Sequence, residues 1–141
     1  MPSSSFTKFE ALSEHVAKKV HNFDTDTLKV YLSNTAPNVA THAVKADLAE
    51  IAAGNGYTAG GNDTQNATSR AGAVTSVTGV DITITASGGT VGSFQYAVLY
   101  NDTPTSPADP LVGYWNYGSA QTLNDGESLL VDFGTSMFTV G

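Results

Sequence analysis

Beyond Gly72 the chain is a succession of short segments, AVTSV, DITITAS, FQYAVLY, LVGYWNY, SAQTL, ESLLVDF and SMFTV, each rich in β-branched or aromatic residues. Between them lie TG, SGG, NDTPTSPADP, YGS, NDG and GTS, all turn formers. Runs this short leave no room for long helices, and turn signals at intervals of roughly eight to twelve residues predict antiparallel strands folded into a sandwich or an open barrel. The sequence therefore reads as mainly β, an antiparallel β-sandwich that is jelly-roll-like or an open barrel. The long connection from Thr103 to Pro110 holds three prolines and is expected to project as a loop rather than close a hairpin. Asn124-Asp125-Gly126 is a strong hairpin signal.

The first half is organised differently. Phe9, Leu12, Val16 and Val20 fall at helical spacing, Thr7 and Glu10 have the spacing of a capping box, and Asn22 can serve as a left-handed stop. An amphipathic helix is expected from about Thr7 to His21, its narrow apolar stripe lying on the β-body or on another subunit. Leu28, Val30 and Leu32 alternate with Lys29, Tyr31 and Ser33, which predicts a half-buried strand ending at the turn from Asn34 to Pro37. Val44, Leu48 and Ile51 suggest a second, shorter helix at about 43–53 that Gly54 terminates. From Gly60 to Arg70 neither periodicity nor helix formers occur, so a loop or exposed edge is expected. These elements make one domain over 1–141, an N-terminal helical arm of 1–26 on a β-body of 27–141.

Charge excludes some partners. The chain carries a formal net charge of −7, and all of its lysines and arginines lie at or before Arg70. Beyond that point there are only carboxylates, Asp81, Asp102, Asp109, Asp125, Glu127 and Asp132. Such a surface repels nucleic acid and anionic membranes, whose binding needs clustered cations. No apolar stretch reaches the ~20 residues of a membrane span or forms the core of a signal peptide, so a soluble chain is expected. There is no cysteine, which removes disulfides and thiolate metal sites and leaves stability to packing or a partner.

Candidate chemistry is sparse. AAGNGYTAGG (52–61) resembles a phosphate-cradling loop in glycine count, but the expected helix before it and the poor helix opener after it, GNDTQNATSR, do not suit one. Its glycines, Gly54, Gly56, Gly60 and Gly61, are better read as places where the chain turns or is approached closely by a neighbouring subunit. His15 and His21, six apart on the expected helix, lie on different faces, and with His42 they offer no zinc pattern. Asp24 and Asp26 lack the rest of a calcium ladder and read as turn residues. Three N-x-T sequons, at Asn62, Asn66 and Asn101, are chance matches in an Asn- and Thr-rich chain. No serine elbow, cysteine nucleophile or catalytic lysine of the β-half is present. Tyr114, Trp115 and Tyr117 are the only dense aromatic cluster; they read as packing, with stacking on a host glycan as the alternative.

Taken in order, VHNFDTDTLKVYLSNTAP, ADLAEIAAGNGYTAGG, ITASGGTVGSFQYAVLYNDT, DPLVGYWNYGS and DGESLLVDF resemble small virion structural proteins of tailed bacteriophages and prophages. The resemblance implies a non-enzymatic particle component without cofactor, metal or catalytic residues: a capsid decoration (cement) protein, a head fibre or a tail-associated protein. As a cement protein it would be made in the host cytoplasm and sit on the outer surface of the phage head. Its partners would be the major capsid protein and copies of itself in a homo-oligomer, of which a trimer is one arrangement. Neither nucleic acid nor membrane would be a partner. In that setting Phe9, Leu12, Val16 and the four glycines are the expected subunit or capsid contacts, and a head-fibre or tail module binding glycans through Tyr114, Trp115 and Tyr117 is the alternative.

Overall fold

A computed structural model describes residues 5–140. The chain is mainly β, with antiparallel sheets packed as a sandwich and one α-helix. In chain order the elements are β1 (Thr7–Lys8), α1 (Ala11–Ala17), β2 (Leu28–Ser33), a 3-10 turn (Lys45–Asp47), β3 (Asn62–Asp63), β4 (Ala67–Ala71) and β5 (Val74–Thr78). They continue with β6 (Ile82–Thr85), β7 (Val91–Asn101), β8 (Leu111–Leu123), β9 (Ser128–Val131) and β10 (Phe138–Val140). A five-stranded sheet runs β1-β8-β7-β2-β3, and facing it are a three-stranded sheet, β10-β5-β4, and the pair β6-β9.

The central sheet is covered on both faces. Leu28, Val30, Leu32, Ala97, Leu99, Val112 and Trp115 point into a large core completed by Val77, Ile82, Ile84, Leu129, Val131 and Phe138 of the small sheets. Tyr31, Tyr96, Val98, Tyr100 and Leu111 point the other way, into a second cluster with Phe9 and Leu48. This double burial explains why FQYAVLY and LKVYLS are almost continuously apolar, as strands with two covered faces must be. β2 is accordingly buried nearly throughout rather than half-buried.

The N-terminal helix is shorter than its periodicity implies. Thr7 and Lys8 pair with Tyr114 and Gly113 of β8, and the Phe9 N–H donates to the Val112 carbonyl at 3.1 Å. Phe6 enters beside Gly113, where a Cβ would collide with its ring, and packs on Trp115 at 4.7 Å and Phe138 at 5.5 Å. Sheet pairing and aromatic burial thus outcompete the capping box, and the helix begins after Glu10. It ends early because Lys19, not Asn22, takes the left-handed conformation (φ 62), with Val20 N–H donating to His15 O and Lys19 N–H to Val16 O. These are the paired bonds of a Schellman stop.

The helix expected at 43–53 does not form. The Asp47 carboxylate accepts the Ala43 and Val44 N–H groups at 2.8 and 3.1 Å, which permits a single 3-10 turn. Leu48 is extended, Glu50 bridges Ser33 of β2, and Val44 bridges Pro110. The glycine-rich run therefore follows an extended strap rather than a helix. The connection 102–110 closes the β7-β8 hairpin and is stitched down at its ends, where Lys45 N–H donates to Asp109 O, Leu111 N–H to Ala43 O, and Lys29 pairs with Asp102 at 3.0 Å, while Thr103, Thr105, Ser106 and Ala108 stay exposed. YGS does not separate two strands, because β8 continues through Gly118, whose φ of 87 lets residues 117–120 bulge opposite Gln95. Asn124 to Glu127 does form a turn, but β9 leaves it to pair with β6, so no hairpin results.

Two of the four glycines are sites of close approach within this chain. A Cβ on Gly61 (φ +83) would lie 2.0 Å from the Val30 carbonyl oxygen, and one on Gly56 (φ +104) 2.1 Å from that of Thr85. Gly61→Ala and Gly56→Ala each combine left-handed strain with a backbone collision that no rotamer relieves, and each is expected to cost about 3 kcal/mol or more. Gly118→Ala, at a similar φ with nothing near, should cost only about 1 kcal/mol. Urea unfolding of the three variants checks the ranking, and an equal loss at all three would contradict it.

Candidate functional site

The densest polar chemistry lies where the strap 43–61 crosses onto β2. The segment is held extended by its bonds to β2 and by its glycine turns, and this brings Lys45, Glu50 and Tyr57 together although no periodicity relates them. Glu50 is the node. One carboxylate oxygen accepts Lys45 Nζ at 2.9 Å; the other accepts the Tyr57 hydroxyl at 2.6 Å and the Gly60 N–H at 2.7 Å. The Tyr57 oxygen in turn accepts the Leu32 N–H at 3.0 Å, and the Tyr100 hydroxyl donates to Gly60 O at 2.5 Å. Lys45 Nζ sits 4.7 Å above the Tyr31 ring and 5.7 Å from that of Tyr100, a cation held by a carboxylate and two aromatic faces.

The electrostatics follow from burial. Desolvation pushes the Glu50 carboxyl upward, but the hydrogen bonds from Tyr57, Lys45 and Gly60, with the lysine charge, outweigh it and hold the group below its usual range. Burial and the Glu50 charge raise the Tyr31 hydroxyl; burial, the hydrogen bond to Glu50 and its charge raise that of Tyr57. Both phenols thus stay protonated donors beside a fixed anion. The Glu50 carboxylate and the Tyr57 and Tyr100 hydroxyls are all turned to other parts of the chain, so the arrangement fastens the strap to the sheet.

A second cluster joins the end of the helix to the β7-β8 connection. Asn101, fully buried, donates from Nδ2 to Asp26 Oδ2 at 2.7 Å and to His21 Nδ1 at 3.0 Å, while its oxygen accepts the Thr103 N–H. His21 is thereby the tautomer protonated at Nε2, an atom buried without a partner, as is His15 Nδ1. His15 and His21 come together, ring centroids 5.9 Å apart, because His21 lies beyond the helix instead of on it. Among the described residues no three His, Cys, Asp or Glu side chains are gathered as a metal would require. Asp24 and Asp26 are turn residues, accepting Thr68 Oγ1 and the Asn22 N–H respectively.

The residues singled out by the sequence do not form one patch. Phe9 and Leu12 are buried in the chain's own cores, yet with Val16, which is 38% exposed, they line one open groove of about 730 Å³ beside Val140 and Lys8. Gly54 is exposed in the turn that pairs it with Tyr57, and Gly60 serves Glu50. Trp115 and Tyr117 belong to the large core, and Tyr114 packs half-buried between Phe9 and Tyr96. Glu50, Tyr57 and Asn101 carried no sequence signal: a lone glutamate among alanines, a tyrosine in a glycine run and an apparent sequon. Comparison with protein-family models, with curated proteins and with solved structures finds no match.

Two outcomes follow. Burial foremost, then the neighbouring His15, lowers the His21 pKa from 6.5 to about 4 against the opposing effect of Asp26. The folded state therefore binds fewer protons than the unfolded chain across that interval, and the stability His21 contributes is complete above pH 6.5 and lost as the pH falls toward about 4. Allowing for solvent screening of a half-buried ring, the loss should be about 1–2 kcal/mol, visible as a falling Tm that flattens in His21→Gln. Glu50→Ala, which strands Lys45 and frees Tyr57, is expected to cost about 3 kcal/mol by chemical denaturation, more than Lys29→Ala at the exposed pair.

Proposed function

We propose that the chain is a non-enzymatic structural component of a tailed-phage particle, a decoration protein that coats and stabilises the mature head. The observation that carries this reading is where the five resembling stretches fall. They supply β2, the strap that bears Glu50 and the glycines, β7, most of β8, and β9. The likeness thus coincides with the framework that covers both faces of the central sheet.

Two further observations support it. The concentrated ionisable chemistry, Lys45 with Glu50 and His21 with Asp26 and Asn101, is spent on fastening loops to the sheet. The exposed surface is polar chiefly through hydroxyls and amides, with charged residues only 13% of the chain, which suits close packing among like neighbours. The partners in this reading are the major capsid protein and further copies of the chain. The glycan-binding alternative draws little support from Trp115 and Tyr117, whose rings are in the core.

The test is direct. Purified protein added to mature heads that lack it should bind saturably and raise the temperature at which they release their contents. Absence of saturable binding, or binding with no change in heat resistance, would sink the cement reading.

A further inference from the structure

We propose that β4 is a dimerisation edge, pairing antiparallel with β4 of a second copy in one register, centred on Ser69. The inference rests on backbone accounting and charge placement and is independent of whether the protein coats a phage head.

β4 pairs with β5 through five consecutive residues without a register shift, from Ala67↔Thr78 to Ala71↔Val74. Among the described residues no strand pairs with its other side. The orientation of its free groups can be deduced. Val77, opposite Thr68, gives its carbonyl to the Met137 N–H at the β10 side, so Val77 and Thr68 are a non-hydrogen-bonded pair of the β4-β5 ladder. By alternation Arg70 is in the same position, and the N–H and C=O groups of Thr68 and Arg70 point outward. Ala67, Ser69 and Ala71 are exposed, and the strand has no proline, no bulge and no lysine to blunt it.

The other long edges are treated differently. Along β2, Leu28 is met by Asn66 and Thr64, Val30 by Asn62, and Leu32 by Tyr57 and Ile51. Toward the end of β8, residues 117–120 bulge, and Asn116 and Gln121 turn their own side chains onto the Gly118 N–H and the Ser119 carbonyl. Unlike these two edges, β4 presents a regular, unblocked row of backbone groups.

Charge selects the occupant and the register. Arg70 is the last cation of the chain; its guanidinium bonds only the nearby Gly72 carbonyl and forms no ion pair among the described residues. Asp24, likewise without an ion pair, lies against Thr68 at 2.9 Å. In an antiparallel pairing centred on Ser69, Thr68 faces the second copy's Arg70 and all four outward groups on each strand are bonded. Directly opposed residues share a face, so each Arg70 falls beside the other copy's Thr68 and Asp24. Shifting the pair so that Arg70 faces Arg70 instead opposes two like charges. The contact is isologous and closed, and it fuses two three-stranded sheets into one.

The chain has no cysteine, so Ser69→Cys introduces a single thiol at the twofold centre, where opposed Cβ atoms lie about 4.5–5.5 Å apart. With oxidised glutathione as the oxidant, Ser69→Cys should form a disulfide-linked dimer far faster than Ser119→Cys, an exposed site elsewhere. In sedimentation velocity the unmodified protein should show a reversible monomer–dimer equilibrium. Arg70→Glu and Asp24→Lys should each weaken it about tenfold or more, and the double exchange should recover it to within about threefold. Circular dichroism and Tm confirm that the single variants stay folded. A monomer at all accessible concentrations, a dimer indifferent to both charge reversals, or equal cross-linking of the two cysteine variants would overturn the proposal.

Discussion

The outer edge of β2 is the constraint on which the rest of the structure depends. A strand at the heart of a doubly covered sheet cannot leave backbone groups unpaired, yet β3 reaches only Lys29 and Val30. The remaining groups are satisfied piecemeal: Asn66 and Thr64 at Leu28, Ile51 at the Leu32 carbonyl, and the Tyr57 hydroxyl at the Leu32 N–H. The last of these is a side chain doing the work of a missing strand, and it is held to that task by Glu50. Lys45 balances the carboxylate, Gly60 completes its shell, and Tyr100 ties Gly60 back to the sheet. Desolvating an ion pair is costly, but here the anion organises three donors at once, which is the circumstance in which such a pair is retained.

Much of the fold is legible from the sequence, and the parts that are not share one cause. The strands at 28–33, 74–78, 82–85, 91–101, 128–131 and 138–140 follow from β-branched and aromatic runs between turn formers. What the pattern misplaces are the segments whose local preference competes with a long-range partner. Thr7 to Glu10 has a capping box but gives way to pairing with β8 and the burial of Phe6 beside Gly113. Val44, Leu48 and Ile51 have helical spacing, but Asp47 draws in the Ala43 and Val44 N–H groups and Glu50 is bound at the sheet edge. Asn124 to Gly126 makes its turn, but β6 is the better partner for β9. The site is less legible still, because Glu50, Tyr57 and Asn101 matter through residues far away in sequence.

The two covered faces also bear on function. A sheet exposed on one side can present a platform of aromatic rings; this one turns Trp115 and Tyr117 into one core and Tyr31, Tyr96 and Tyr100 into the other. What remains outside among the described residues is an array of turns, hydroxyls and strand edges. The glycines belong to the same economy. Gly56 and Gly61 let two backbones approach within the molecule, so the flexibility suggested by AAGNGYTAGG is in fact spent on a fixed geometry.

The pairing of β1 with β8 has a consequence in time. Thr7 must wait for Tyr114, and Lys8 donates to the Thr139 carbonyl, so β1 is made long before the strands that hold it. Contacts this distant in sequence slow folding, and at ~5–20 residues per second of synthesis the N-terminal segment stays unpaired for several seconds on the ribosome. During that interval Phe6 and Phe9 lack the β8 surface that buries them. The nascent chain thus passes through a stage with aromatic surface uncovered, which ends only when β8 arrives.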